Sequence, residues 1–318
     1  MLHNRQPDMY KDDNHKPEMC VAITQFEGLC CFLAGDKILA NLRATPEIVA
    51  VVGKAAADEL SLASAERPSL SVAAAARFTT ALKRLFGALM RADSAVVTAQ
   101  LQALVARLAA TAEAQRADPD ALALRLHAQY PGDVGVFCVY LLQHVVLQPG
   151  EAMYLAANEP HAYICGDCAE VMATSDNVVR AGLTPKLRDV DTLVEMLTYT
   201  DGDVHRVEPT QREGEPNVWR YRTPAPEFMM DRMELPAGGR AMLPAVAGLS
   251  VMVVVEGEAV VEQVPQGSSA AEALPGTGLT RTLKPGTVEL ICPGTALRVE
   301  PRSQRPLLLY RSAVREDE

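Results

Sequence analysis

Leu147-Gln-Pro-Gly-Glu-Ala-Met-Tyr-Leu155 and Leu283-Lys-Pro-Gly-Thr-Val-Glu-Leu-Ile291 share one pattern, Leu-x-Pro-Gly followed by an apolar strand. Proline presets φ for a turn and glycine supplies the left-handed residue that closes it, so each copy reads as a turn feeding a strand. A repeated turn and strand implies two related β-units. In the first unit His161 stands eleven positions after Gly150, whereas the same position after Gly286 holds Leu297. Imidazole nitrogen is a metal donor and an alkyl side chain is not, so any metal is expected in the first unit and none in the second.

Working outward, the chain changes texture four times. Residues 1–34 open with a polar segment, Asn4 to Lys16, and pass into short strand-like runs at Cys20-Val-Ala-Ile-Thr-Gln-Phe26 and Leu29-Cys-Cys-Phe-Leu33. From 36 to 142 the sequence is rich in Ala and Leu. Thr45-Pro46 reads there as an N-cap followed by proline at the first helical position. Phe78, Leu82, Leu85, Phe86 and Leu89 form one helical stripe, and Val97, Leu101, Leu104, Val105 and Leu108 a second; both are expected to be core. Asp118-Pro119-Asp120 starts a third helix that should end near Tyr130-Pro131-Gly132.

Strand texture returns beyond Val145, with a brief helical pattern around Asp191 to Tyr199. Residues 200–222 read as a connector because of Gly202, Pro209, Gly214 and Pro216. Gly248 to Gln263 should fold back as a hairpin around Glu256-Gly257-Glu258, and 265–279 should be an exposed loop. The implied fold is mainly β with an α-helical insertion, of cupin or jelly-roll type. The expected division is 1–35 with 143–200, then 36–142 as the insertion, then 201–318 as a second jelly-roll or cupin-like domain.

Bulk properties exclude several classes. Of 318 residues 48% are hydrophobic, enough for packed cores, and 30 Lys and Arg stand against 40 Asp and Glu for a net charge of −10. An acidic balance argues against nucleic acid or an anionic membrane as partner. Seven cysteines, an odd number with no framework spacing, fit reduced thiols and a cytoplasmic location. No secretory pattern opens the chain, and the apolar run Ala241 to Val255, broken by Pro244, Gly248 and Ser250, is too short to span a bilayer.

Three segments concentrate chemistry. Asn14-His-Lys-Pro-Glu-Met19 places Lys16 and Glu18 two apart before a strand, so strand alternation aims both at one face. One cavity can then receive a cationic clamp and an anionic metal ligand; the plainer reading is an ordinary charged loop. Asn158-Glu-Pro-His-Ala-Tyr163 puts His161 at the opening of a strand, where it is either a ligand or simply a satisfied histidine.

Ser175-Asp-Asn-Val-Val-Arg-Ala-Gly-Leu-Thr-Pro-Lys186 gathers Asp176, Asn177, Arg180, Thr184 and Lys186 around a turn. Arg and Lys so close suit a phosphate or carboxylate, unless the loop is merely solvated. Cys165-Gly-Asp-Cys168 has redox-like spacing, but it follows a strand and has no second cysteine pair, so no metal or redox role is assigned. His3, His127, His144 and His205 show no partner spacing.

Tyr10 to Met19 and Pro160 to Lys186 together resemble type I mannose-6-phosphate isomerases, which carry both blocks in this order around a helical insertion. The resemblance implies a zinc-dependent aldose–ketose isomerase with one Zn2+ per subunit. Its small-molecule sugar phosphate passes between mannose 6-phosphate and fructose 6-phosphate through an enediol(ate), a step that would supply mannose for GDP-mannose synthesis. It further implies Glu18 and His161 as metal ligands, Arg180 as the catalytic arginine, and Lys16, Glu170, Asp176 and Lys186 around the substrate. A monomer is expected.

In the family a Gln-x-His pair completes the zinc shell; that pair is absent from this sequence and is expected upstream of Met1, as is part of the first barrel. His3 does not replace it. With Glu18 and His161 alone the metal would have fewer protein ligands than the three usual for catalytic zinc. The rival reading is a remnant without catalysis that binds a sugar phosphate or serves as an interaction protein.

Overall fold

A computed structural model describes residues 2–67, 71–264 and 279–315. The first portion runs α1 (Leu2–Arg5), β1 (Glu18–Ala22) and β2 (Phe26–Phe32). Helices α2 (Gly35–Ala44), α3 (Pro46–Val52), α4 (Lys54–Glu66), α5 (Val72–Met90), α6 (Ser94–Ala109) and α7 (Asp118–Gln129) follow, and a 3-10 segment, Val134–Tyr140, leads back to the sheets. Next come β3 (Leu142–Leu147), β4 (Ala152–Leu155), β5 (His161–Cys165), β6 (Cys168–Met172), α8 (Val190–Met196) and β7 (Arg206–Val207). Among the described residues the regular elements that follow are all strands: β8 (Thr210–Arg212), β9 (Glu215–Arg222), β10 (Met229–Leu235), β11 (Ala241–Leu243) and β12 (Ser250–Glu256), then β13 (Ala259–Val264), β14 (Thr280–Leu283), β15 (Val288–Ile291), β16 (Ala296–Pro301) and β17 (Leu307–Ala313).

These strands make four sheets that face each other in two pairs. Sheet β6-β1-β4-β7 packs on β3-β2-β5 through Cys20, Ala22, Phe26, Cys30, Met153 and Leu155. Sheet β15-β12-β17-β10-β9-β8 packs on β11-β16-β13-β14 through Met233, Met252, Val254, Val261, Val299 and Leu309. The fold is thus mainly β with a helical insertion.

The Pro-Gly repeat has a common backbone geometry. Gly150 and Gly286 sit at φ 86° and 83°, the left-handed region that glycine enters without a Cβ clash. The Gly150 N–H donates to the Ala22 carbonyl at 2.8 Å, and the Gly286 N–H donates to that of Val254 at 2.9 Å. Register agrees: Glu18 opposes Leu155 in the first unit, Ser250 opposes Ile291 in the second. The orders β6-β1-β4 and β17-β12-β15 correspond, as do β3-β2-β5 and β14-β13-β16. Ser250 and Leu297 therefore occupy the places of Glu18 and His161. The units differ at their edges: β10 lies beyond β17 and β11 beyond β16, whereas β6 and β5 end their sheets and are partly exposed.

Strand β1 is buried along its whole length because it serves two cores. Cys20 and Ala22 face the first sandwich, while Met19 and Val21 pack on Tyr221, Phe228, Met230 and Tyr310 of the second unit. The Tyr221 hydroxyl also donates to the Gly150 carbonyl at 2.7 Å, so the repeat turn is tied to the neighbouring unit.

Helices α2 to α7 share one core with Leu29 and Phe32 of β2 and with Leu193 and Val194 of α8. The stripes Phe78, Leu82, Leu85, Phe86, Leu89 and Val97, Leu101, Leu104, Leu108 are buried, while Val105 is half-exposed at the stripe margin. Ser71 caps α5 and Asp93 caps α6 through their side chains. Thr45 precedes Pro46 of α3 as expected, but its hydroxyl makes no capping bond. Among the described residues no helix is long and apolar enough to cross a membrane.

Two sequence expectations need correction. Residues 200–222 are not a bare connector: Gly214, at φ 75°, turns β8 into β9, whose Val218 and Tyr221 are buried. The glycines and prolines there mark one turn and strand ends rather than a loop. Gly248 to Gln263 folds back at Gly257, but β12 and β13 do not pair; they belong to opposite sheets, so the turn is a corner between layers. Most of the loop expected over 265–279 lies outside the described residues.

Asp231 on β10 is buried between two arginines. Arg220 donates to both its oxygens at 2.7 and 3.0 Å, and Arg311 donates to one of them. Burial alone would push the Asp231 carboxyl up, but the two guanidinium partners outweigh it and hold it below the usual range. A carboxylate depressed in the folded state contributes stability above its unfolded pKa, roughly 3.9, and loses it as pH falls through the lower folded value. We expect Asp231→Asn to cost about 3–5 kcal/mol near neutrality, because it leaves buried guanidinium charge uncompensated. Urea unfolding should also show a smaller stability loss below pH 4 than the parent chain; equal acid sensitivity would contradict this role.

Candidate functional site

The first motif block reaches the cavity as an extended segment running into β1, and the second as the loop that leaves β6. What joins them is the Asp12 carboxylate. It accepts from the Ser175 hydroxyl at 2.8 Å, the Asp176 N–H at 2.9 Å and the Asn177 side-chain amide at 3.2 Å. The Asp176 N–H first, then the Ser175 hydroxyl and the Asn14 N–H, hold the Asp12 carboxyl below its usual range. Asn177 returns the contact, accepting from the Lys11 N–H at 2.8 Å, and the Asn14 amide donates to the Thr174 carbonyl at 2.7 Å. Tyr10 adds a 2.8 Å bond from its hydroxyl to Asp189, the cap of α8.

The far end of the second block is fixed from the helical side. Asp133 accepts from the Gly135 N–H at 2.7 Å and from the Leu183 N–H at 2.9 Å, while Leu183 sits at φ 55°. Gly135 and Gly182 meet backbone to backbone: a Cβ built on Gly182 would lie 2.7 Å from the Cα of Gly135. The loop carrying Arg180 is thus pinned at one end by Asp12 and at the other by Asp133.

Between these supports lies a cavity of about 590 Å³. Its lining includes Lys16, Glu18, His161, Tyr163, Glu170 and Arg180. Asp176 and Lys186 are exposed and stand outside that lining, Asp176 with its backbone N–H on Asp12. Among the described residues Lys16 and Arg180 make no ion pair, and both line the cavity, with Lys16 acting on Glu18 through its charge.

Glu18 opens β1, and His161 opens β5 opposite Cys30 of β2. His161 Nε2 lies 3.4 Å from a Glu18 carboxylate oxygen. Its Nδ1 is 3.0 Å from the Glu159 carbonyl, which assigns the proton to Nδ1 in the neutral ring and leaves Nε2 as the lone-pair nitrogen. Burial raises the Glu18 carboxyl, but the hydrogen bond and charge of His161 and the charge of Lys16 prevail and lower it. Burial opposes charge on His161 too, yet Glu18 shifts that ring upward.

Glu170, two residues along the neighbouring strand register from Glu18, is pushed up by burial and by the like charge of Glu18. Burial above all pushes the Tyr163 phenol up as well.

A carboxylate and an imidazole nitrogen converging at this separation are of the donor types that zinc takes. Among the described residues no group of three or more His, Cys, Asp or Glu side chains is placed to hold a metal ion. The pair therefore fits part of a zinc shell. The sequence reading assigned no role to Asp12, Asp133 or Tyr163. Asp12 lies inside the block from Tyr10 to Met19, which is the available signal, whereas Asp133 belongs to the helical insertion and carries none.

Adding a methyl group at Gly182 must displace backbone, so Gly182→Ala is expected to destabilise the chain by about 1–3 kcal/mol. It should also speed amide exchange across residues 180–184. Unchanged exchange there would show that the Gly135 contact does not hold the loop.

Residues 1–34 match the catalytic domain of type I phosphomannose isomerase, and residues 51–142 match the helical insertion domain of the same type. The chain is 45% identical to a mannose-6-phosphate isomerase of Cryptococcus neoformans over 82% of its length, covering 63% of that protein. It is 41% identical to mannose-6-phosphate isomerase 1 of Arabidopsis thaliana, covering 58% of it. With the Homo sapiens mannose-6-phosphate isomerase it shares 37% identity over 98% of this chain and 71% of that one. The chain thus spans about three fifths of the length of the first two relatives.

Among solved structures, a variant of phosphomannose isomerase from Salmonella typhimurium superposes with a TM-score of 0.73 at 26% identity, over 96% of this chain and 68% of that one. A zinc-bound mannose 6-phosphate isomerase gives a TM-score of 0.71 at the same identity and coverage. Sequence, insertion and architecture agree, and the chain belongs to the type I phosphomannose isomerase family.

Proposed function

We propose that this chain supplies the sugar-phosphate side and two zinc donors of an aldose–ketose isomerase site that interconverts mannose 6-phosphate and fructose 6-phosphate. The observation that carries the reading is the single cavity shared by Lys16, Glu18, His161, Glu170 and Arg180. The names of the relatives support the substrate, and the zinc-bound neighbour supports the metal. The division into residues 1–35 with 143–200, 36–142 and 201–318 belongs to the same proposal. So does a role in supplying mannose for GDP-mannose.

Moving a proton between neighbouring sugar carbons develops charge on oxygen, and that charge needs a fixed cation nearby. Zinc, when bound, polarises the sugar oxygens. Glu18 through its carboxylate and His161 through Nε2 would hold it, with the Glu159 carbonyl fixing the imidazole orientation. Arg180, which makes no ion pair among the described residues, offsets charge on the enediol(ate), and Lys16 offers a point charge to the phosphate or a sugar oxygen. Glu170, raised by burial and by the like charge of Glu18, takes up a proton more readily than an ordinary carboxylate. Asp176 and Lys186, which lie outside the lining, keep their substrate-binding role as part of the proposal.

Calorimetric titration with mannose 6-phosphate tests the substrate side. The chain should bind it, and Arg180→Ala or Lys16→Ala should each weaken binding about tenfold, the loss of roughly one charge-assisted contact. Absence of binding, or affinity untouched by both changes, would sink the reading. Metal analysis tests the other side. Two protein donors fall short of the three usual for catalytic zinc, so the purified chain should retain less than one zinc and show no turnover. Full zinc occupancy with turnover would overturn the argument about ligands.

A further inference from the structure

Strand β2 carries a feature that isomerisation does not use. Adjacent side chains of a strand point to opposite faces, so the thiols of Cys30 and Cys31 ought to diverge. Their Sγ atoms are instead 3.2 Å apart. A bulge is the cause. Pairing of β2 with β3 slips between Cys30 and Phe32, which leaves Cys31 as the extra residue at φ 57°. Residues other than glycine seldom take that conformation, and it concentrates where the surrounding structure imposes it. Here the Cys31 N–H donates to the Pro160 carbonyl at 2.9 Å, locking the bulge to the residue before His161. Cys30 is buried and Cys31 half-exposed, so the pair has one open side.

We propose that Cys30 and Cys31 form a chelating site for trivalent arsenicals, beside His161, which Cys30 opposes across β2 and β5. Thiols are soft donors suited to a soft acceptor, and two of them held within a single bond-angle span gain the advantage of an intramolecular second step. With an arylarsine oxide, Cys31 is reached first and Cys30 closes the ring. Two As–S bonds form, the As–O bonding is lost, and the oxygen leaves as water with the two thiol protons. Arsenic stays trivalent and no oxidant is required. Cys20 and Cys168 also interact, across β1 and β6, and form the competing pair. Cys165 and Cys292 are exposed, and Cys138 is buried.

The test titrates the full chain with phenylarsine oxide and follows free thiols together with intact mass. One arsenical should bind with loss of two thiols, and peptide mapping should place the bridge on Cys30 and Cys31. Cys31→Gly suits the left-handed φ and keeps the bulge, yet should raise the binding midpoint roughly 100-fold, the chelate advantage of a tethered second donor. Cys168→Ser should leave it unchanged. Binding undiminished in Cys31→Gly, abolished in Cys168→Ser, or mapped in the parent chain to any other cysteine would overturn the proposal; the mapping holds even if a variant folds poorly.

Discussion

The site depends on one carboxylate, Asp12, which carries no chemistry itself. Its oxygens accept from Ser175, Asp176 and Asn177, residues more than 160 positions away, and so bring the two motif blocks to one cavity. A carboxylate that accepts several donors is favoured as the ion, which is why its titration is displaced downward. The contact lies at the surface, so its value is geometric: it sets where the Arg180 loop leaves β6 relative to where Lys16 enters β1. Asp133 does the same at the other end of that loop, from the last turn before β3.

The helical insertion is therefore more than an appendage. Its core is continuous with Leu29 and Phe32 of β2 and with α8, and its final segment presses Gly135 against Gly182. Interiors packed at this density transmit small displacements, so the cationic loop is positioned by an insertion that also lines the cavity through Phe86, Leu126, Tyr130 and Cys138. In the proposed reaction this arrangement places Arg180 with no ion pair among the described residues, leaving that charge for the substrate.

The two β-units show what the fold needs and what chemistry needs. Both keep the Pro-Gly turn, its left-handed glycine and its hydrogen bond to the facing strand, because without these the sheet corner cannot form. At the positions of Glu18 and His161 the second unit has Ser250 and Leu297, and it invests its buried charge in the Arg220–Asp231–Arg311 cluster instead. Its sheets extend past β17 and β16, where the first unit stops at β6 and β5.

Much was legible from the chain alone, since local rules act over a few residues. The Leu-x-Pro-Gly repeat announced two β-units, the 3.6-residue stripes located α5 and α6, and Lys16 with Glu18 pointed to one face by strand period. Failures came where pairing is non-local. Glycines and prolines in 200–222 suggested a connector, but β9 is made a strand by its neighbours β10 and β8. The fold-back at Gly257 was visible, yet whether its arms pair or part into opposite sheets is decided by the core between them. The sequence by itself determined residue chemistry, periodicity and the family blocks. Only the tertiary structure decided that Asp12 and Asp133 hold the site together, because a hydrogen bond between distant segments leaves no period or spacing to read.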